Sequence, residues 1–517
     1  MFDFKGIGGL MNIMTSTINE CSIKPVGDKG TQIKESLSHN DNCMQNWIWY
    51  RGDPKELQQW YIRHDPTRFW GKTTGQSTDV KRIHSRLASA MVDAMAYVVL
   101  SDMRDITFET DEETELWKVI AKENNFNNLT DESLKTTLVF GDGAFKINYE
   151  EMLTDKPIIE FYRADRVEFV RHRGRIQEVI FKTKYKHNGH TYVLHERYGY
   201  GYILNTLYLT GTEVSMNSVP ALAGVNDYYF AGAVGANGVV KKKGSYMLAV
   251  PFIIYSSSKY EGRGESIFDK RTSLLDALDH ALSQWMECVE AGMPKTGVSE
   301  DMLKHDPNTG SPIIPDGLER YFLLQRGRNG DGLGSNGLGI ETVQFDIPWQ
   351  SYDETQSSFI DSILMGFISP ATLGIDISKV DSGESMREKQ TMTMHTRSYI
   401  VEAMSEVVKQ LATVAMQSYY DSRKMNVTVS EPSVDFGDYA SPTPDAMADT
   451  LTKCVYGGFM SKKTAIKEYH GDSKSDEWVD EEYRLIMEES NASMAGVGFP
   501  DFGGDVNYGT DAEDLAE

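Results

Sequence analysis

Apolar residues recur at three- and four-residue spacing over most of the chain and switch to two-residue spacing in one central block. The spacing predicts helices over 54–64, 80–101, 110–125 and 130–140. In the second of these Ile83, Leu87, Met91, Ala94, Met95 and Val98 share a face. Thr110-Asp-Glu-Glu113 has the form of a capping box. From about 144 to 209 the period is that of strands, at 158–162, 167–170, 176–185 and 191–195. Asn188-Gly189 between two of them predicts a tight hairpin turn and an antiparallel sheet. Residues 211–246 are Gly-rich and loosely patterned, and a further strand is expected at 250–255.

The second half returns to helical spacing. A helix over 265–291 carries Phe268, Leu275, Leu278, Leu282, Trp285 and Val289 in one stripe. Asp269, Asp276, Asp279, Glu287 and Glu290 fall largely off that stripe. Residues 293–348 form an insert rich in Gly, Pro and Asn, with strand-like runs at 320–324 and 340–345. A helix over 352–366 then runs into Phe367-Ile-Ser-Pro-Ala-Thr-Leu-Gly374 and a short polar link, 375–383. Beyond it, 384–424 holds neither Gly nor Pro, a helix far longer than the usual 11–12 residues. Its second half has an apolar stripe from Ile400 to Tyr419; its first half, with Arg387, Glu388, Lys389, His395 and Arg397, is much more polar. Three short helices are expected at 446–456, 461–469 and 475–490. The two ends, 1–45 and 491–517, read as irregular and as a disordered acidic tail.

Composition narrows the function. The 517 residues suffice for several domains, and no apolar run is long enough to span a membrane. The first residues lack the basic region and small-residue cleavage site of a secretion signal, so secretion is not expected. Cys21, Cys43, Cys288 and Cys454 have no metal-binding or disulfide-framework spacing. The net charge of −24 argues against tight phosphate gripping, though not against a protein past which DNA must slide. No phosphate-binding loop, G-x-S-x-G or H-E-x-x-H sequence occurs. Gly332-Leu-Gly-Ser-Asn-Gly337 has dinucleotide-fingerprint letters without the following helix, so a loop is expected there. His187 and His190 flank the predicted turn, with His195 nearby, and read as surface histidines.

Five stretches, in order, resemble the portal proteins of tailed bacteriophages, in their siphophage-type branch. They are Tyr50-Arg-Gly-Asp-Pro-Lys-Glu-Leu57; Pro251-Phe-Ile-Ile-Tyr255 with Gly262-Arg-Gly-Glu-Ser266 and Leu274-Leu-Asp-Ala-Leu278; Gly366-Phe-Ile-Ser-Pro-Ala-Thr-Leu-Gly-Ile-Asp376; Ser385-Met-Arg-Glu-Lys-Gln390; and Gly457-Gly-Phe-Met-Ser461 through Glu489. The resemblance implies an α+β portal fold assembled as a ring, with about twelve subunits. It implies a wing (46–263), a stem helix (264–292), a clip (293–348), a second stem helix (349–374), a tunnel loop (375–383), a long wing helix (384–426) and a crown (427–490).

Double-stranded DNA would then pass, without sequence recognition, a tunnel loop carrying Asp376, Ser378, Lys379, Asp381 and Ser382. Asp276, Asp279, Glu287 and Glu290 would line the channel, and Arg320, Arg326 and Arg328 would serve docking at the clip. The partners implied are the terminase large subunit, a head-completion adaptor, and the major capsid and scaffolding proteins; the place is the virion's portal vertex, and neither cofactor, metal nor catalysis is expected. The residues themselves leave two alternatives open: a metal-dependent DNA-processing enzyme, suggested by abundant carboxylates, and a capsid or tail structural protein without a channel.

Overall fold

The computed structural model describes residues 35–72, 81–150, 153–229, 246–299, 304, 307, 321–324, 340–344, 346–375, 383–425, 427–437, 444–470 and 476–495. These divide into two compact units, Met1–Gly437 and Asp438–Glu517. The first unit opens with five helices: α1 (His39–Arg51), α2 (Pro54–His64), α3 (Leu87–Leu100), α4 (Asp111–Glu123) and α5 (Phe126–Phe140). Thr110 caps α4 as expected, its hydroxyl accepting the Glu113 N–H.

Two of these five helices differ from the sequence expectation. Helix α1 lies partly in the segment read as irregular. Its buried face includes Asn42 and Asn46, so its polar and apolar positions show no helical contrast to read. Ser38 caps it by accepting the Asp41 N–H. Helix α3 starts at Leu87 rather than near 80, because the N–H groups of Ile83 and Ser85 are taken by acceptors elsewhere in the fold.

Strands follow: β1 (Asp142–Asn148), β2 (Ile158–Arg163), β3 (Val167–His172), β4 (Arg175–His187), β5 (His190–Gly199), β6 (Tyr202–Leu209), β7 (Thr212–Val214), β8 (Tyr228–Tyr229) and β9 (Ala249–Ile253). They form two antiparallel sheets, β2-β1-β9 and β3-β4-β5-β6-β7, with β8 added to β6. At the β4–β5 turn Asn188 and Gly189 have φ of 50° and 76°, and His187 pairs with His190. The sheets are joined by Lys146 of β1, buried beneath Tyr198, whose ammonium donates to both oxygens of Glu196 on β5 at 2.9 and 2.8 Å.

Helix α6 (Thr272–Ala291) leads to a three-stranded sheet of β10 (Lys295–Ser299), β11 (Tyr321–Leu324) and β12 (Ile340–Val343). The central β10 was not evident in the sequence. Lys-Thr-Gly-Val-Ser holds one strongly apolar residue, and pairing on both sides makes it a strand. Helix α7 (Trp349–Leu364) returns antiparallel to α6, and α8 (Gly383–Ser422) is the long helix, forty residues as expected. One core joins α1 to α5, the first sheet, the base of α6, the end of α7 and α8. Residues 427–437 belong to this unit too: Phe436 is buried, and Thr107 and Ser433 form a β-bridge. The second unit holds α9 (Pro444–Tyr456), α10 (Lys462–His470) and α11 (Asp476–Ala495). Helix α11 therefore continues five residues into the expected tail, and 496–517 lie outside the described residues.

Candidate functional site

The candidate site is the α6–α7 arm with the turn that carries the chain from α7 into α8. Burial along the arm is graded. On α6 the buried side chains are Leu275, Asp276, Leu278, Asp279 and Ser283, none beyond its twelfth residue; on α7 they are Ile363 and Leu364, at its last turn. The other halves leave the core together. There Trp285 stacks on Tyr352 with nearly parallel rings 6.3 Å apart, and the Cys288 thiol lies 2.9 Å from the Tyr352 hydroxyl. Further out, Met293 and Trp349 are largely open, Trp349 by 59%. An antiparallel helix pair with buried roots and more open outer halves leaves the core and ends in the β11-β10-β12 sheet.

The roots are pinned by carboxylates. Asp279 is 0% exposed and accepts from three donors: the Ser85 N–H at 2.9 Å, Trp70 Nε1 at 3.1 Å and His84 Nδ1 at 2.6 Å. Asp276, 7% exposed, accepts the Phe69 and Trp70 N–H groups at 3.0 and 3.3 Å, and burial pushes its pKa above the ordinary carboxylate value. Asp269, just before α6, accepts from the Asn42 and Asn46 amides at 2.7 and 2.9 Å and from the Ser266 N–H. These bonds correct the expectation that Asp276 and Asp279 line a channel: the face they occupy is covered by residues 69–70 and 83–85. They also explain why α6 starts at Thr272 instead of 265. The backbone of Ser266 and Phe268 is held by the side chains of Asp269 and Ser266, an alternative to helical bonding.

Glu287 and Glu290, expected on the same surface, are exposed on the outer half of α6. Asp376, Ser378, Lys379, Asp381 and Ser382 lie outside the described residues, as do Arg320, Arg326 and Arg328.

Several residues at the site were not singled out from sequence. Arg271, at the start of α6, donates to the Ile363 and Met365 carbonyls at 2.8 and 3.1 Å and so satisfies the end of α7. The turn after α7 is shaped by Gly366 and Gly374, with φ of 75° and 72°. Thr393 of α8 holds it: its hydroxyl accepts the Ser369 N–H at 2.9 Å and lies 3.0 Å from the Thr372 hydroxyl. Four residues on, Arg397 is 8% exposed and donates to the carbonyls of Val98, Phe436 and Gly437 at 2.8–2.9 Å. The polar character of the first half of α8 thus has a structural reason over 391–397: it docks on backbone carbonyls and a turn, which need donors and hydroxyls.

Two of the other quoted stretches also resolve into backbone devices. Gly52, with φ of 65°, ends α1; Asp53 caps α2 by accepting the Lys55 N–H; Pro54 starts it and Leu57 is fully buried. Gly141 and Gly264 touch so closely that a Cβ on Gly264 would lie 2.0 Å from the Gly141 carbonyl oxygen. Beside them Arg263 donates to Asp142 and to the Val167 and Ala164 carbonyls. Among the described residues, no group of three or more His, Cys, Asp or Glu side chains stands close enough to share a metal ion.

Residues 33–495 match the family model described as "Phage portal protein, SPP1 Gp6-like". A solved structure titled "Neck of native GTA particle computed with C12 symmetry" is similar over 88% of this chain and 98% of that one, with 11% identity and a TM-score of 0.41. No curated protein matches this chain.

Proposed function

Because the chain belongs to the SPP1 Gp6-like phage portal protein family, we propose that it is one subunit of a ring-shaped channel at a capsid vertex, through which double-stranded DNA enters and leaves the head. The ring serves as the head-to-tail connector of a virion. In it the α6–α7 arm is the stem, the β11-β10-β12 sheet the clip, α8 the long wing helix and the C-terminal unit the crown. Residues 375–383 form the tunnel loop, where Lys379 sits among Asp376 and Asp381. The clip, including Arg320, Arg326 and Arg328, meets the terminase large subunit and later the head-completion adaptor; the outer surfaces meet the major capsid and scaffolding proteins. ATP hydrolysis belongs to a partner.

The observation that carries this reading is the arm with its graded burial. Two helices leave the core bearing Trp285, Trp349 and Met293 incompletely covered. Copies arranged side by side around an axis would cover them, head to tail. Glu287 and Glu290 on the outer half of α6 are then the acidic groups available to a channel, and like charge keeps DNA from sticking.

Native mass spectrometry decides the ring. The expected species lies near 0.7 MDa, about twelve copies of 58.2 kDa. A monomer at every concentration and salt would sink the reading for the free protein. Deleting 376–382 should leave rings intact and impair DNA packaging; normal packaging by that variant would refute the loop's role.

A further inference from the structure

The C-terminal unit is short of core. Among its described residues Val479 is the one hydrophobic side chain that is fully buried. Tyr456 and Phe459, on the turn between α9 and α10, are each 89% exposed. That turn is well built: Gly458 has φ of 72°, and the Gly457 and Phe459 N–H groups donate to the Lys453 and Cys454 carbonyls. Two aromatic rings are therefore held outward on a defined corner. Leu485 and Ile486 of α11 are also open, at 42% and 36%. A unit of this size with so little buried surface gains little stability from its own packing.

Charge is sorted between its helices. Helix α10 has three Lys and one Glu; α11 has seven acidic residues and Arg484. Within one subunit Lys463 bridges to Asp480 across the two helices, while Arg484 is engaged by Glu481 and Glu488. Lys462 on α10 and Glu477 on α11 are exposed charges of opposite sign, and Glu482 on α11 is half-exposed.

We propose that a second copy of this unit is the missing packing partner: α10 of one subunit, with Tyr456 and Phe459, seats against α11 of the next, over Leu485 and Ile486. The contact joins two different surfaces, so it propagates around a ring instead of closing a two-fold pair. Placing α11 against α11 would oppose like charges. The proposal rests on the ring reading and adds which surfaces meet in its C-terminal layer.

Rings assembled from equal amounts of ¹⁵N-labelled and unlabelled full-length protein, coupled with a zero-length carbodiimide, test it. Digestion and mass spectrometry should find Lys462 joined to Glu477 or Glu482, with labelled and unlabelled peptides mixed in about half of the products. Rings of full mass whose α10–α11 products are all of one label, or absent, would overturn the proposal and leave the ring reading standing. If no ring forms, both fail. In a second arm, Lys462→Glu and Glu482→Lys should each lower the salt concentration at which rings dissociate by roughly twofold, and the double variant should recover it. Unchanged single variants would overturn the proposal independently of the coupling chemistry.

Discussion

At the scale of single residues, the buried groups make the sharpest predictions. Asp279→Ala leaves the Ser85 N–H, Trp70 Nε1 and His84 Nδ1 without their acceptor and should cost about 3 kcal/mol or more, read as a lower unfolding midpoint in urea. Glu290→Gln, on the exposed half of α6, should leave that midpoint unchanged. Equal effects would mean that the burial of Asp279 does not operate in solution. Gly52→Ala meets two obstacles at once: φ of 65°, and a Cβ that would lie 2.9 Å from the His84 ring. A loss of about 1–3 kcal/mol in the same assay is expected. His39 supplies the pH dependence. Burial, reinforced by repulsion from Arg263, lowers its pKa from 6.5 to about 4. The unfolded chain takes the proton first, so the stability this group permits is full above pH 6.5 and is lost as pH falls toward 4, by up to about 3 kcal/mol. His39→Asn should flatten the denaturation midpoint over that window, and an unchanged slope would contradict the assignment.

Elements were legible where their own pattern carried them. The Asn188-Gly189 hairpin and the forty-residue α8 needed only turn chemistry and spacing. Three features were not legible because a distant partner sets them. Helix α1 buries Asn42 and Asn46 to serve Asp269, which erases its amphipathic contrast. The starts of α3 and α6 are moved by side chains that take backbone N–H groups. The acidic face of α6 looked like a solvated face, and part of it is covered by residues 69–70 and 83–85, segments too short to leave a periodic trace. Arg397 is the element-scale test. Its guanidinium ties α8 to α3 and to Phe436–Gly437, a fork that Lys cannot reproduce. Arg397→Lys should raise amide hydrogen exchange across 427–437 at least about tenfold while leaving the β4–β5 hairpin unchanged; unaltered exchange there would remove Arg397 from that role.

For the whole molecule, charge and assembly act together. A chain of net charge −24 arranged as a ring should hold DNA weakly. Linear duplex DNA should show no stable complex with purified protein in a mobility-shift assay at physiological salt, with any dissociation constant weaker than about 10 µM; tight binding would contradict a conduit that lets DNA slide. The graded burial of the α6–α7 arm has one more consequence, for tolerance to change in length. Packing against the core is confined to the roots, up to Ser283 on one helix and from Phe359 on the other. A whole turn added to both outer halves would carry the terminal sheet about 5.4 Å outward along the axis and leave the roots undisturbed. The reach of this part of the molecule is therefore an independent variable: matched insertions beyond the roots can adjust how far the sheet stands from the body without renegotiating the fold that supports it.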